Sequence, residues 1–217
     1  SLHKRGYRPA VGMAPIKETL AAGLMRMTEW DGTNNLVDPL CGSGTLLIEA
    51  VSMSLGIASG VDRQFLFKNW PDFNNFIWEK ELKMAQKPKS LNNNLPKIIG
   101  CEVDEMIANS AANNVVKAGL EGYIEIINCP FQEFQLPPGL GMLICNPPYG
   151  KRIGDENELS YLYKQLGQYC KKQASGWDLW LLNGNPQLSQ HLGMKASRRF
   201  QVNNGAIDCR WLNYKIK

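Results

Sequence analysis

Apolar residues recur along this chain in two alternating rhythms. Ile16, Leu20, Leu24 and Met27 repeat at helical spacing and predict a helix over 15–30, with Pro15 suited to its first turn. Leu36 and Val37 then centre a short strand over 35–38. Helical spacing returns over 43–56 through Leu46, Leu47, Ala50 and Leu55, with Gly56 placed to cap it. Farther on, the pattern predicts strands over 97–103, 123–128, 142–145 and 177–182, and helices over 105–118 and 159–172. Residues 195–202 and 206–214 read as a closing antiparallel pair joined at Asn203-Asn204-Gly205. Strands alternating with helices imply an α/β fold, a mostly parallel sheet covered by helices on both faces.

Residues 61–96 break the rhythm. Trp70, Phe73, Phe76 and Trp78 are interleaved with Asn, Asp and Pro, and a Lys- and Asn-rich stretch follows from Lys83 to Pro96. This predicts an insertion, an aromatic excursion whose rings pack the domain, followed by a connector.

Composition bounds the picture. The chain has 217 residues, 44% hydrophobic and 20% charged, enough for a substantial core. A net charge of +4 permits nucleic-acid binding without requiring it. No run reaches the roughly 18 apolar residues of a membrane helix. The six cysteines form no C-x-x-C pair, and the only histidines are His3 and His191. That spacing argues against a zinc site and a disulfide framework, and for reduced thiols in the cytoplasm. No signal peptide opens the chain. It starts Ser-Leu-His-Lys-Arg, as a piece excised from a larger protein would.

Two motifs carry chemistry. Asp38-Pro39-Leu40-Cys41-Gly42-Ser43-Gly44-Thr45 leaves a strand and opens a helix. Glycines let backbone N–H groups approach a ligand, and a helix start offers free donors and positive potential, so a carboxylate or phosphate fits. Leu47 stands where a dinucleotide fingerprint needs its third small residue, and the phosphate-loop pattern is missing. Asp38 beside the turn suits a ligand with a cationic amino group. A purely structural turn is the plain alternative. Glu102 and Val103, ending the next strand, are placed for ribose hydroxyls and the rest of a nucleoside. Asp104 is either a second such acid or the cap of the next helix.

The second motif is Asn146-Pro147-Pro148-Tyr149, straight after an apolar strand. An exocyclic base amine is a poor nucleophile because its lone pair is delocalised. The Asn146 side-chain oxygen and the Pro147 carbonyl can accept its two N–H groups and hold it as it turns pyramidal. The prolines fix the loop, which lowers the ordering needed at the transition state. Tyr149 can stack on a planar acceptor.

These motifs, with Leu2-His3-Lys4-Arg5-Gly6-Tyr7-Arg8, residues Ala14 to Ala22, and the run Asn146 to Gly154, resemble the THUMP-associated RNA guanine-N2 methyltransferases, in particular the L-type module of the K/L group acting on 23S ribosomal RNA. The resemblance covers nearly the whole chain. It implies a Rossmann-like S-adenosylmethionine-dependent methyltransferase fold with seven strands. It also implies S-adenosylmethionine as donor, a guanine amine of large-subunit ribosomal RNA as acceptor, and no metal or membrane. Residues 1–217 would be one catalytic domain, with an RNA-capturing THUMP domain preceding it in a longer chain. The family more often shows Asp at the positions of Glu102 and Pro130; with Pro130 here, adenine would be held by the Phe131 backbone and by stacking. Arg5, Tyr7 and Arg8 would close over the cofactor or meet RNA, and Lys151, Arg152, Lys195, Arg198 and Arg199 would neutralise phosphates. An adenine-N6 nucleic-acid methyltransferase and a protein glutamine-N5 methyltransferase are the alternatives, since both use this proline loop.

Overall fold

The computed structural model describes residues 4–7, 16–60, 63–85, 96–149 and 156–217. These form seven strands in one sheet: β1 (Asn35–Asp38), β2 (Ile98–Glu102), β3 (Glu125–Asn128), β4 (Gly141–Cys145), β5 (Asp178–Asn183), β6 (Arg198–Asn204) and β7 (Ile207–Lys215). The order is β3-β2-β1-β4-β5-β7-β6. The first five run parallel, and β7 is antiparallel to both β5 and β6. The connecting helices are α1 (Glu18–Thr28), α2 (Thr45–Ser54), α3 (Asn75–Ala85), α4 (Glu105–Lys117), α5 (Glu156–Gln173) and α6 (Pro186–Gln190).

The central strands are near-continuous apolar runs because both faces are covered. Leu36, Ile98, Met142, Ile144 and Trp180 point into one core, with Leu24 of α1 and Leu47, Ile48 and Val51 of α2. Val37, Ile99, Leu143, Leu179 and Leu181 point into the other, under Leu159, Tyr163 and Leu166 of α5. Trp180 stacks between Phe200 and Trp211 at 6.0 and 5.6 Å, which ties the antiparallel strands to the parallel ones.

The elements depart from the sequence pattern at definite points. Helix α1 starts at Glu18, because Lys17 is extended (φ −66°, ψ 140°), and stops before Glu29, which is left-handed (φ 61°). Helix α2 starts two residues later than the periodicity suggests, since Gly44 is left-handed (φ 76°). The pattern also passes over α6, although Asn185 caps it, accepting from Gln187 N at 3.0 Å, and Pro186 opens it. In the hairpin Asn203 and Asn204 continue the ladder opposite Asp208 and Ile207, and the turn is Gly205-Ala206, with Gly205 at φ 65°.

The insertion holds a short 3-10 turn (Leu66–Asn69) and α3. Its rings do not pack the domain as expected. Phe65, Phe67, Phe73 and Trp78 pack on one another, with centroids 5.2–6.4 Å apart. Trp70 and Phe76 face solvent, and no residue of α3 is buried. Asn, Lys and Glu between the aromatics leave too little apolar surface to join the main core. Residues 86–95 of the expected connector lie outside the described residues.

Candidate functional site

The chain lays down β1, β2 and β3 toward one edge, then returns to place β4 on the other side of β1. Connections leaving the carboxyl ends of β1 and β4 therefore diverge, and a crevice opens between them. The glycine turn leaves β1 there, and the Asn-Pro-Pro-Tyr loop leaves β4. Motifs a hundred residues apart in sequence thus share one mouth because their strands are hydrogen-bonded neighbours, with Val37 beside Leu143.

The glycine turn is fastened at several points. Cys41 N donates to Cys101 O at 2.9 Å, and Gly44 N to Cys41 O at 2.9 Å. A Cβ on Gly100 would lie 2.9 Å from both Cβ and Sγ of Cys41, so the turn seats on β2 only because that strand has glycine there. Gly42 and Gly44 adopt φ 52° and 76°, which other residues rarely adopt. Ser43 Oγ and Thr45 Oγ1 lie 3.0 Å apart. Asn114 of α4, buried, donates from Nδ2 to Ser43 O at 3.0 Å. The N-cap of α2, Gly44, has no side chain with which to cap it. Pro39 is buried behind the turn.

Two carboxyls face this turn. Asp38 ends β1 and is 1% exposed, and its Oδ1 accepts from Leu40 N at 3.1 Å. Burial pushes its pKa up to about 8; the Leu40 N–H opposes that and the charge of Glu102 adds to it. Glu102 ends β2 and bridges the turn to its own strand end. Its Oε2 accepts from Gly42 N and its Oε1 from Asp104 N, both at 3.0 Å. Asp104 caps α4, accepting from Ile107 N at 3.0 Å, so of its two readings the geometry takes the cap. Asn128 of β3 braces the same corner, donating to the carbonyls of Glu102 and Val103 at 2.9 and 3.0 Å. Val103 itself is 65% exposed. Phe131 is buried with its ring edge-on to Tyr169 at 5.4 Å. Its ring is therefore spent in the core and is not free to stack on a ligand.

On the β4 side, Asn146 Oδ1 is buried and has no hydrogen-bond partner among the described residues. An unmatched buried acceptor is costly, of order 1–3 kcal/mol. Pro147 is buried and Pro148 half-buried. Tyr149 is half-buried; its oxygen accepts from Asn204 Nδ2 at 2.8 Å, and burial pushes its pKa up to about 12.

Of the two uses expected of the N-terminal residues, contact with RNA does not fit the placement of Arg5 and Tyr7. Arg5 pairs with Glu49 of α2 at 2.9 Å, and the Tyr7 hydroxyl donates to the same carboxylate at 2.9 Å. Glu49 is 2% exposed, so it holds both groups in the interior and they are not presented to RNA. Lys195 and Arg199 are exposed, while Arg198 lies 3.6 Å from Glu29. Arg8, Lys151 and Arg152 lie outside the described residues. Sequence reasoning missed Asn114, Asn128 and Asn204 as supports, and Gly184, where an added Cβ would lie 2.6 Å from Tyr149 Cδ2. Only Asn114 left a signal, a polar residue on the apolar stripe of a helix.

Comparison with known proteins fits this geometry. A family described as RMKL-like, methyltransferase domain, matches residues 5–213. A Synechocystis protein assigned provisionally as an RNA methyltransferase is 42% identical over the whole chain, which spans 56% of that relative. The ribosomal RNA large subunit methyltransferase K/L of Desulfotalea psychrophila is 37% identical over 97% of the chain, which spans 30% of it. A crystal structure of a provisionally assigned methyltransferase complexed with S-adenosylhomocysteine superposes with a TM-score of 0.90 at 30% identity, covering all of this chain and 56% of that one.

Proposed function

The chain belongs to the RMKL-like methyltransferase family, and from that premise we propose that it transfers a methyl group from S-adenosylmethionine to the exocyclic N2 amine of a guanine in large-subunit ribosomal RNA. The observation that carries the acceptor half is the Asn146-Pro147-Pro148-Tyr149 loop leaving β4 next to the glycine turn that leaves β1, with Asn146 Oδ1 unpartnered among the described residues.

The crevice suits the donor on its own terms. The start of α2, where the left-handed Gly42 and Gly44 let the backbone come close, suits a carboxylate. Asp38, costly to ionise alone, is matched by an ammonium group. Glu102 keeps lone pairs for ribose hydroxyls after accepting from Gly42 and Asp104. Val103 and the Phe131 backbone would meet the adenine, while Pro39, Cys41, Ser43 and Thr45 shape the turn. When bound, S-adenosylmethionine supplies an electrophilic methyl group.

The protein's part is positioning. Asn146 Oδ1 accepts one N–H of the acceptor amine and the Pro147 carbonyl the other, so the nitrogen turns pyramidal and its lone pair points into the crevice. The methylated nitrogen is acidic and sheds its proton without a strong base. Tyr149 stacks on the base, which is turned out of its RNA stack to reach the loop. Residues 1–217 act as the catalytic domain of a longer cytoplasmic protein whose preceding THUMP domain captures RNA.

The test is transfer of labelled methyl to unmodified large-subunit RNA, followed by digestion to nucleosides. N2-methylguanosine is expected. Label on N6 of adenine, or on a protein glutamine, would replace the acceptor. Absence of label with the cofactor bound would assign the reaction to the longer protein.

A further inference from the structure

We propose that Asn204, at the tip of the C-terminal hairpin, is a positioning residue of the acceptor site: it fixes the Tyr149 ring on which the target base stacks. The inference rests on the reading of residues 146–149 as the acceptor loop.

Tyr149 is held from three sides. Its backbone continues the rigid Pro147-Pro148 segment. Its ring edge lies against Gly184, just past β5, where an added Cβ would sit 2.6 and 2.7 Å from Cδ2 and Cε2. Its oxygen accepts from Asn204 Nδ2, 55 residues away, at 2.8 Å. The third hold sets ring orientation together with the Cys209 thiol, which also reaches the phenol group; without the amide the phenol keeps only that weaker partner, and the partly buried ring loses a constant stacking face.

The strand pattern explains how Asn204 gets there. Along β6, Phe200, Val202 and Asn204 are less exposed than Arg199, Gln201 and Asn203. Phe200 and Val202 pack on the core cluster that Tyr149 also joins. Asn204 is the last residue of that inward row before the Gly205 turn, so alternation aims its amide at the acceptor loop. A side chain needed only for packing would be apolar there; an amide supplies the donor that the phenol oxygen takes. The hairpin thus forms one wall of the acceptor site.

The experiment compares Asn204→Ala, Tyr149→Phe and the double variant in methyl transfer to RNA, with Asn204→Asp as the conservative replacement. Asn204→Ala is expected to lower kcat about five- to ten-fold, the worth of one neutral hydrogen bond, with KM for S-adenosylmethionine unchanged. Adding it to Tyr149→Phe should cost nothing further, because the bond is already gone. Asn204→Asp, whose carboxylate can accept from the Tyr149 hydroxyl, should recover most of the rate. Additive losses, or full turnover in Asn204→Ala, would overturn the proposal. Fluorine NMR of fluorotyrosine-labelled protein decides it without activity: the resonance lost in Tyr149→Phe should shift in Asn204→Ala, and an unmoved resonance sinks the idea. Wild-type protein inert toward RNA would move the rate comparison to the longer protein, and the fluorine result would judge the Asn204–Tyr149 contact by itself.

Discussion

Replacing Asp38 by asparagine separates what this carboxyl costs the fold from what it does for a ligand. The side chain is 1% exposed, and burial pushes its pKa up to about 8 from an ordinary 3.8. Because the folded pKa is raised, the folded protein keeps the proton longer than the unfolded chain. The resulting stability is fully present below about pH 4 and is lost as pH rises through about pH 8. Each unit inside that window is worth about 1.36 kcal/mol, so the wild type should lose up to about 4 kcal/mol between about pH 5 and pH 8 from this group. In Asp38→Asn the replacement side chain does not titrate, and its amide oxygen can still accept from Leu40 N. Urea unfolding without cofactor should therefore show the variant's advantage growing with pH. By calorimetry the same variant should bind S-adenosylmethionine about ten- to a hundred-fold more weakly, since a neutral amide does not balance an ammonium. Parallel pH profiles for the two proteins would refute the assignment of a buried, mostly protonated carboxyl.

Other substitutions probe the remaining parts. Asn146→Ala should cut methyl transfer by about two to three orders of magnitude with cofactor affinity intact, and retained turnover would sink the mechanism. Glu102→Ala should weaken cofactor binding about ten-fold or more by removing the brace on Gly42 along with the ribose acceptor; unchanged affinity by calorimetry would reassign that contact. Gly100→Ala should destabilise the protein by about 1–3 kcal/mol in urea unfolding, because its Cβ meets Cys41, and wild-type stability would show that the turn has room to move. Asn114→Ala should loosen the glycine turn, seen as faster amide exchange at Gly44 with the sheet amides unaffected.

Hydrophobic spacing and local residue chemistry made much of this molecule readable in advance. Parallel strands buried on both faces must be short apolar runs, so β1, β2, β4 and β5 stand out against amphipathic α4 and α5. Gly42 and Gly44 announce a turn that needs left-handed backbone, and Pro147-Pro148 announces a fixed loop, because these residues restrict or free φ regardless of surroundings. The aromatics at 70–78 misled for a related reason: spacing shows that rings are present but not whether enough apolar area surrounds them to join the core.

The sequence by itself therefore determined the seven strands and the helices α1, α2, α4 and α5, though not α3 or α6, together with the glycine turn, the proline loop and the two acids at strand ends. Only the tertiary structure decided who meets whom. Strand order brought the glycine turn beside Asn146, burial raised the pKa of Asp38, Glu49 drew Arg5 and Tyr7 inward, and the hairpin delivered Asn204 to Tyr149. Local preference acts over a few residues, whereas these contacts join positions tens of residues apart, through a register that exists only once the sheet has formed.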